Sequence, residues 1–349
     1  MKIFLSIAFM TFMAITMQAQ STLQNQEEED STITVVGYFC KNDTLVYHRV
    51  QGKEKIIGND TTLLNEIVED FMIVVTDSTA DGYKMELTPM SCQVRGKEID
   101  YEGRMASLLW KEIKDLRCRF TTDEWGAVQH IENWRDIRNV LKKSYVTVFD
   151  SLYSELPKLD SIMPRKQLEG LLLLGCSTED GIKEQYDELE MLFGLHGTVL
   201  PKKPVETDDV SEKGFSTHNF LEAFYSKQKD EYDFDGDYVA LCRVETSLSS
   251  DDVEELMNST MGALFSVEVG DSVIKYASEG LKKNKEGMKV NEIGQYCYFY
   301  NGWPKLMQSI KETNLGNLVK RVEYDSIEWT SRHWGVFTFP DEEDTGKKM

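Results

Sequence analysis

The 349-residue chain has few of the features that assign a function class by themselves. It carries 39 Lys+Arg against 60 Asp+Glu, a formal charge of −21. No basic excess is available to neutralise phosphates, so broad nucleic-acid binding is excluded. Its six cysteines (Cys40, Cys92, Cys118, Cys176, Cys242 and Cys297) include no C-x-x-C pair, the spacing that metal ribbons and dithiol redox sites need. There is no G-x-S-x-G elbow, no H-E-x-x-H, no phosphate-binding G-x-x-x-x-G-K-[ST] and no G-x-G-x-x-G. The five histidines, His48, His130, His196, His218 and His333, lie far apart and mark no local catalytic constellation. Beyond residue 17 no apolar run approaches the roughly 18–20 residues of a spanning helix, so no integral membrane span is expected in the mature chain.

The beginning of the chain is informative. Met1-Lys2 is followed by the uncharged, mostly apolar run Ile3–Met17, which is too short for a span and fits a secretory leader. Cleavage is expected near Ala19/Gln20, giving a periplasmic or secreted protein. The first cysteine, Cys40, is too far from that point to be a lipidated residue. Export brings the six cysteines into an oxidising compartment. Their wide spacing leaves three readings open: small buried hydrophobes, disulfides or, against the missing ligand spacing, a metal site.

Residues 21–32 are polar and acidic, a disordered lead-in by composition. A β-rich section with a helical segment follows over 33–197. Strand-like runs flank turn triplets or dipeptides at Lys41–Asp43, Asp81-Gly82 and Asp123–Gly126, each a hairpin signal. Thr61–Val68 reads as a short helix. From Glu132 to Leu156 apolar residues recur at three and four, one face of a long helix closed by Pro157. Leu168–Leu174 and Ile182–Phe193 continue the helical segment. Residues 198–214, with two prolines and mixed charge, read as a linker. An α+β section is expected over 215–338, with a strand at Tyr238–Val244, a capped helix at Val253–Phe265, strands about Gly270-Asp271, a hairpin about Asn301-Gly302 and a strand at Val322–Trp329. Residues 339–349 are a flexible tail. The expected fold class is α+β: one or two curved antiparallel sheets built from hairpins, with the central helical segment packed on one face. A weak internal echo relates Phe120, Gln129 and Ile131 to Phe299, Gln308 and Ile310, each set spanning a tryptophan-containing turn.

Three sets of residues are candidates for chemistry. Trp125 and Trp303 occupy turn-like positions, where an aromatic ring can meet a ligand. Asp233, Asp235 and Asp237, in EYDFDGDY, alternate around a glycine and supply oxygen ligands of the kind calcium takes. Gly236 is misplaced for an EF-hand loop, however, and an acidic turn in water explains the same residues; no other cofactor is indicated. Asp followed by Ser or Thr and then an aliphatic residue or Thr recurs, with acceptors at Thr44, Thr61, Ser78, Ser161, Ser272 and Ser326. This tripeptide resembles the O-glycosylation pattern of secreted proteins of some gut anaerobes, although Asp-Ser and Asp-Thr are also ordinary turn and cap signals.

The stretches GYFCKNDTLVYHRV and VVTDSTADGYKMELT resemble uncharacterised, secreted β-rich proteins of Gram-negative gut anaerobes. That resemblance implies export and a hairpin-built fold, and brings no site with it. The functional expectation is an exported, non-enzymatic binding or envelope-associated protein holding a small apolar or peptide ligand in a sheet/helix cleft, its partner being that ligand or another envelope protein. The alternative is a secreted hydrolase with a site assembled from distant residues.

Overall fold

The computed structural model describes residues 31–96, 101–157, 159–162, 164–210, 216–226, 236–249, 287–315 and 319–335. The expected leader 1–20, most of the expected 21–32 lead-in, Asp233, Asp235, Ser272, the helix expected at 253–265, the strands expected about Gly270-Asp271 and the expected tail lie outside these residues.

Period-two alternation dominates the described chain. The strands are β1 (Thr32–Thr34), β2 (Thr44–Ile57), β3 (Asp60–Thr79), β4 (Gly82–Arg95), β5 (Cys118–Thr122), β6 (Val128–Ile131), β7 (Val199–Pro201), β8 (Val205–Val210), β9 (Ser216–Tyr225), β10 (Tyr238–Leu248), β11 (Met288–Tyr298), β12 (Pro304–Leu315) and β13 (Val319–His333). The helices are α1 (Tyr101–Ile113), α2 (Trp134–Glu155), α3 (Leu159–Ile162), α4 (Arg165–Gly175), α5 (Glu179–Lys183) and α6 (Asp187–Phe193). β1 and β7 form a small sheet. The other eleven strands form one antiparallel sheet in the order β6-β5-β4-β3-β2-β13-β12-β11-β10-β9-β8. The molecule is therefore mostly β, a large, curved, open antiparallel sheet with few helices, and the expected α+β balance is corrected accordingly.

Several local expectations need correction for the same reason. Thr61–Val68 is not helical but part of the 20-residue β3. Its apolar spacing suits either form, and pairing with β2 on one side and β4 on the other decides for strand. Ile33–Cys40 does not pair with β2; only Thr32–Thr34 is a strand, and it pairs with β7. Residues 198–214, read as a linker, contain β7 and β8, and Tyr101–Ile113 is a helix without a sequence-level expectation. The hairpins β3–β4, β5–β6 and β11–β12 and the long helix α2 match the reading of the sequence.

The curvature follows from what α6 touches. It packs against both β6 and β12, six positions apart in the sheet. In a flat sheet those strands would be about 29 Å apart, far more than a helix diameter. The sheet therefore curls around the helical segment. The small β1–β7 sheet packs on β9, near the opposite edge.

One core joins the concave face to the helices. Leu45, Tyr47, Phe71, Ile73, Val75, Met85, Leu87 and Phe120 come from the sheet; Ile137, Leu141 and Phe149 come from α2, and Leu189, Leu192 and Phe193 from α6. The core fills only one end of the strands. Among the described residues it includes none from β2 past Tyr47, β3 before Phe71, β4 past Leu87, β12 past Met307 or β13 before Ile327. β3 alone is 20 residues, about 65 Å at the rise of an extended chain. Among the described residues, about half of each long strand thus runs beyond the plug and forms the curved wall of a trough, on which Asn65 and Asn219 are nonetheless buried.

Candidate functional site: a trough above a buried charge cluster

In an antiparallel sheet, directly opposed residues share a face, so the register assigns the inner wall in transverse rows. The row at the floor reads Ala240, Tyr296, Met307, Ile327, Arg49, Glu69 and Cys92, of which Ala240, Met307 and Ile327 belong to the core. The next reads Leu221, Cys242, Gly294, Ser309, Asp325, Gln51, Ile67 and Val94. The third reads Asn219, Val244, Glu292, Lys311, Glu323, Lys53 and Asn65. From a floor row that is apolar but for Arg49 and Glu69, the wall passes through a mixed row to a belt in which glutamates and lysines alternate. Opposed Glu and Lys stabilise each other across strands. Glu292 is raised above the usual glutamate range, chiefly by burial and against the pull of Lys311.

Arg49 sits where plug meets trough. Its inward neighbours on β2, Leu45 and Tyr47, belong to the core, and Arg49 itself is 3% exposed. Nε and Nη2 form a fork on Asp325, at 3.0 and 2.6 Å. Nη1 reaches Asp187 at 3.0 Å and Glu188 at 3.3 Å, both in the first turn of α6. Gln51 Nε2 donates to Asp325 Oδ2 at 2.8 Å. One guanidinium thus joins the plugging helix to two strands. Burial works against its charge, but Asp187, Asp325 and Glu188 hold its pKa far up.

The acids outnumber the arginine, and the excess shows in their protonation. Burial pushes Glu188 up to about 8, against Arg49 and reinforced by Asp187 and Glu69. Burial likewise raises Glu69, which is directly opposed to Arg49. Burial and then Glu69 raise the Cys92 thiol to about 12. A carboxyl with a folded pKa of about 8 against an unperturbed 4.5 favours the protonated fold. Its contribution is complete below about 4.5 and disappears as the pH rises to about 8. Glu188→Gln is therefore expected to flatten the fall in unfolding free energy over that range, measured by urea titration at several pH values. An unchanged slope would contradict the assignment.

The sequence-predicted residues are placed as follows. Trp303 is fully buried, and its indole N–H donates to Asp43 Oδ2 at 3.0 Å. It is a core anchor rather than a surface ring. Trp125 is 45% exposed, on the β5–β6 turn. The two echoed turns meet a common strap: Gly37 N–H donates to Trp125 O at 2.7 Å and Tyr38 N–H to Asn301 O at 2.9 Å. Asp237 is 2% exposed, accepts from Tyr300 N–H at 2.9 Å and faces Lys305 Nζ at 3.5 Å. Its carboxylate is committed to the fold. Among the described residues no cluster of His, Cys, Asp and Glu has the arrangement of a metal site. Thr61 is exposed at the β2–β3 tip, beside an open pocket of about 460 Å³ lined by Glu54, Thr61, Thr62, Leu63 and Gly96. Thr44 and Ser78 donate to the carbonyls of Asn42 and Phe39. Ser326 accepts from Gln308, and Ser161 lies in α3. All six cysteines are described and none is disulfide-bonded.

Arg49 is not among the residues that the sequence motifs single out, yet it occupies the inward phase of Leu45-x-Tyr47-x-Arg49, where a charge is out of place unless it is paired.

Four of the histidines have a carboxylate or a carbonyl as partner. His48 Nδ1 lies 2.8 Å from Asp70, and Ser91 Oγ donates to the same carboxylate at 2.6 Å. The carboxylate sits between hydroxyl and imidazole, whereas a triad needs the imidazole in the middle. His130 pairs with Glu179, His218 with Asp208, and His196 with the Gly302 carbonyl. Burial lowers His196 to about 4. Burial raises Cys40, Cys118 and Cys242 as it does Cys92, the opposite of an activated thiolate.

No protein-family model and no curated protein matches the chain. Among solved structures, the chain is similar over 86% of its length to one titled for lipid–protein interactions in lipovitellin, at 8% identity and a TM-score of 0.38, and spans 26% of that protein's length. It is also similar over 81% of its length to a porin-like protein from Bacteroides uniformis ATCC 8492, at 9% identity and a TM-score of 0.14, covering 95% of that chain. Likenesses this distant carry no argument about the ligand. Among the described residues no helix is long and apolar enough to cross a membrane.

Proposed function

We propose that this chain is an exported, envelope-associated binding protein that holds an amphipathic ligand against the inner wall of the trough. The observation that carries the reading is the mismatch between strand length and plug. The helical segment fills one end of the curved sheet, and the wall continues past it from a largely apolar floor row, through a mixed row, to an alternating Glu–Lys belt. Such a gradient suits a molecule with an apolar body and a polar or zwitterionic head, because each part is desolvated only where the wall offers a matching partner. The order of the His–carboxylate–hydroxyl contacts and the raised thiols favour binding over hydrolysis. The test is a titration of the purified chain with a long-chain fatty acid carrying an environment-sensitive fluorophore. Saturable binding of one probe per chain is expected; a signal no greater than that of probe in buffer would overturn the reading.

A further inference from the structure

The two edges of the open sheet are finished differently. β6 is capped by side chains of α5: Ile131 N–H donates to Glu179 Oε1 at 2.9 Å, and Lys183 Nζ donates to Val128 O at 2.7 Å. These contacts satisfy backbone groups that would otherwise seek another strand. β8, at the other edge, pairs with β9 along its whole length. On its far side, no backbone group from Val205 to Val210 has a partner among the described residues. Glu206, Asp208 and Asp209 are exposed there, and Val210 is 75% exposed. Asp208 also holds His218 at 2.8 Å.

We propose that β8 is a docking edge for an extended, lysine- or arginine-bearing segment of another polypeptide, which adds antiparallel to it as a further strand. The backbone supplies the pairing and the acidic side chains select the partner. A second copy of this chain is disfavoured, because two β8 edges would set like charges directly opposite each other. The register specifies the partner. Running antiparallel to 210–205, it places an apolar residue against Val210, basic residues against Asp209 and Asp208, a small polar residue against Thr207, a basic residue against Glu206 and an apolar residue against Val205. The inference is independent of the trough and of its ligand.

The experiment uses the full chain and the synthetic peptide Val-Lys-Lys-Thr-Lys-Val with Gly-Ser flanks, read by hydrogen exchange and fluorescence anisotropy. In the free protein, alternate amides within 205–210 should exchange rapidly; on adding peptide they should become protected. Glu206→Lys with Asp209→Lys leaves the Asp208–His218 pair in place. That variant should bind the basic peptide about tenfold more weakly and gain affinity for the Glu-substituted peptide. Retained circular dichroism shows that it folds. A peptide of equal charge interrupted by prolines should give no protection. The proposal is overturned if all β8 amides are already protected in the free protein, if the proline peptide binds equally well, or if the basic peptide binds without protecting β8.

Discussion

Replacing Arg49 with methionine is expected to lower the unfolding free energy by about 3–5 kcal/mol, the cost of leaving buried carboxylates without their counter-charge. The side chain is 3% exposed and contacts Asp187, Glu188 and Asp325 together. Methionine keeps most of the length and apolar contact, so the loss reports charge rather than a cavity. The deficit should be larger at pH 8 than at pH 5, because Arg49 draws the burial-raised Glu188 pKa down and its removal makes ionising Glu188 costlier. Arg49→Lys should recover only part of the loss, since an ammonium cannot reproduce the two-pronged contact with Asp325. Denaturant midpoints at the two pH values measure all of this; a loss below about 1 kcal/mol would place the cluster in solvent-screened surroundings.

Trp303→Ala is expected to be comparably severe, at about 3–5 kcal/mol. The ring is fully buried, 4.4 Å from Phe39 and 6.1 Å from Phe193 between centroids. Its N–H reaches Asp43, whose carboxylate also accepts from Cys40 N–H at 2.8 Å and Gly335 N–H at 2.6 Å. Asp43 thereby joins the strap before β2, the β11–β12 turn and the segment after β13. Gly302 lets that turn close, with φ of 79° and with the Val36 carbonyl where a Cβ would stand. Trp303→Phe keeps most of the ring and loses the N–H, so about 1–3 kcal/mol is expected. Thermal or denaturant unfolding checks both, and equal losses for the two would show that the hydrogen bond, rather than the ring volume, dominates.

The elements legible in the sequence were those specified locally. Asp81-Gly82 and Asn301-Gly302 sit in the turns they announce, and the three-and-four spacing from Trp134 to Leu152 is the buried stripe of α2. Elements decided by distant partners were not. Val205–Val210 has an acidic, Pro-flanked composition and becomes a strand because β9 pairs with it. Leu63, Leu64, Ile67 and Val68 fit a helix face, and the long β2 draws them into β3. The site is the extreme case. Arg49 lies 138 residues from Asp187 and 276 from Asp325, and the trough rows exist only once seven or more strands are in register. No spacing rule along the chain encodes such rows. The tryptophan turns illustrate the converse: their positions were readable, but whether a ring points into the core or outward depends on the strap packed between them.

If the ligand lies against the inner wall beyond the plug, two adjacent residues of β10 should respond to it differently. Val244 faces inward, in the row with Asn219 and Glu292, whereas Arg243 faces outward in the row with Ile293. The measurement is the fluorescent fatty-acid titration on Val244→Trp beside Arg243→Trp, with unfolding midpoints recorded for both. The inward tryptophan is expected to weaken binding about tenfold or more by filling the trough, while the outward one leaves it unchanged. Unchanged binding to Val244→Trp, or equal weakening by both substitutions, would contradict it.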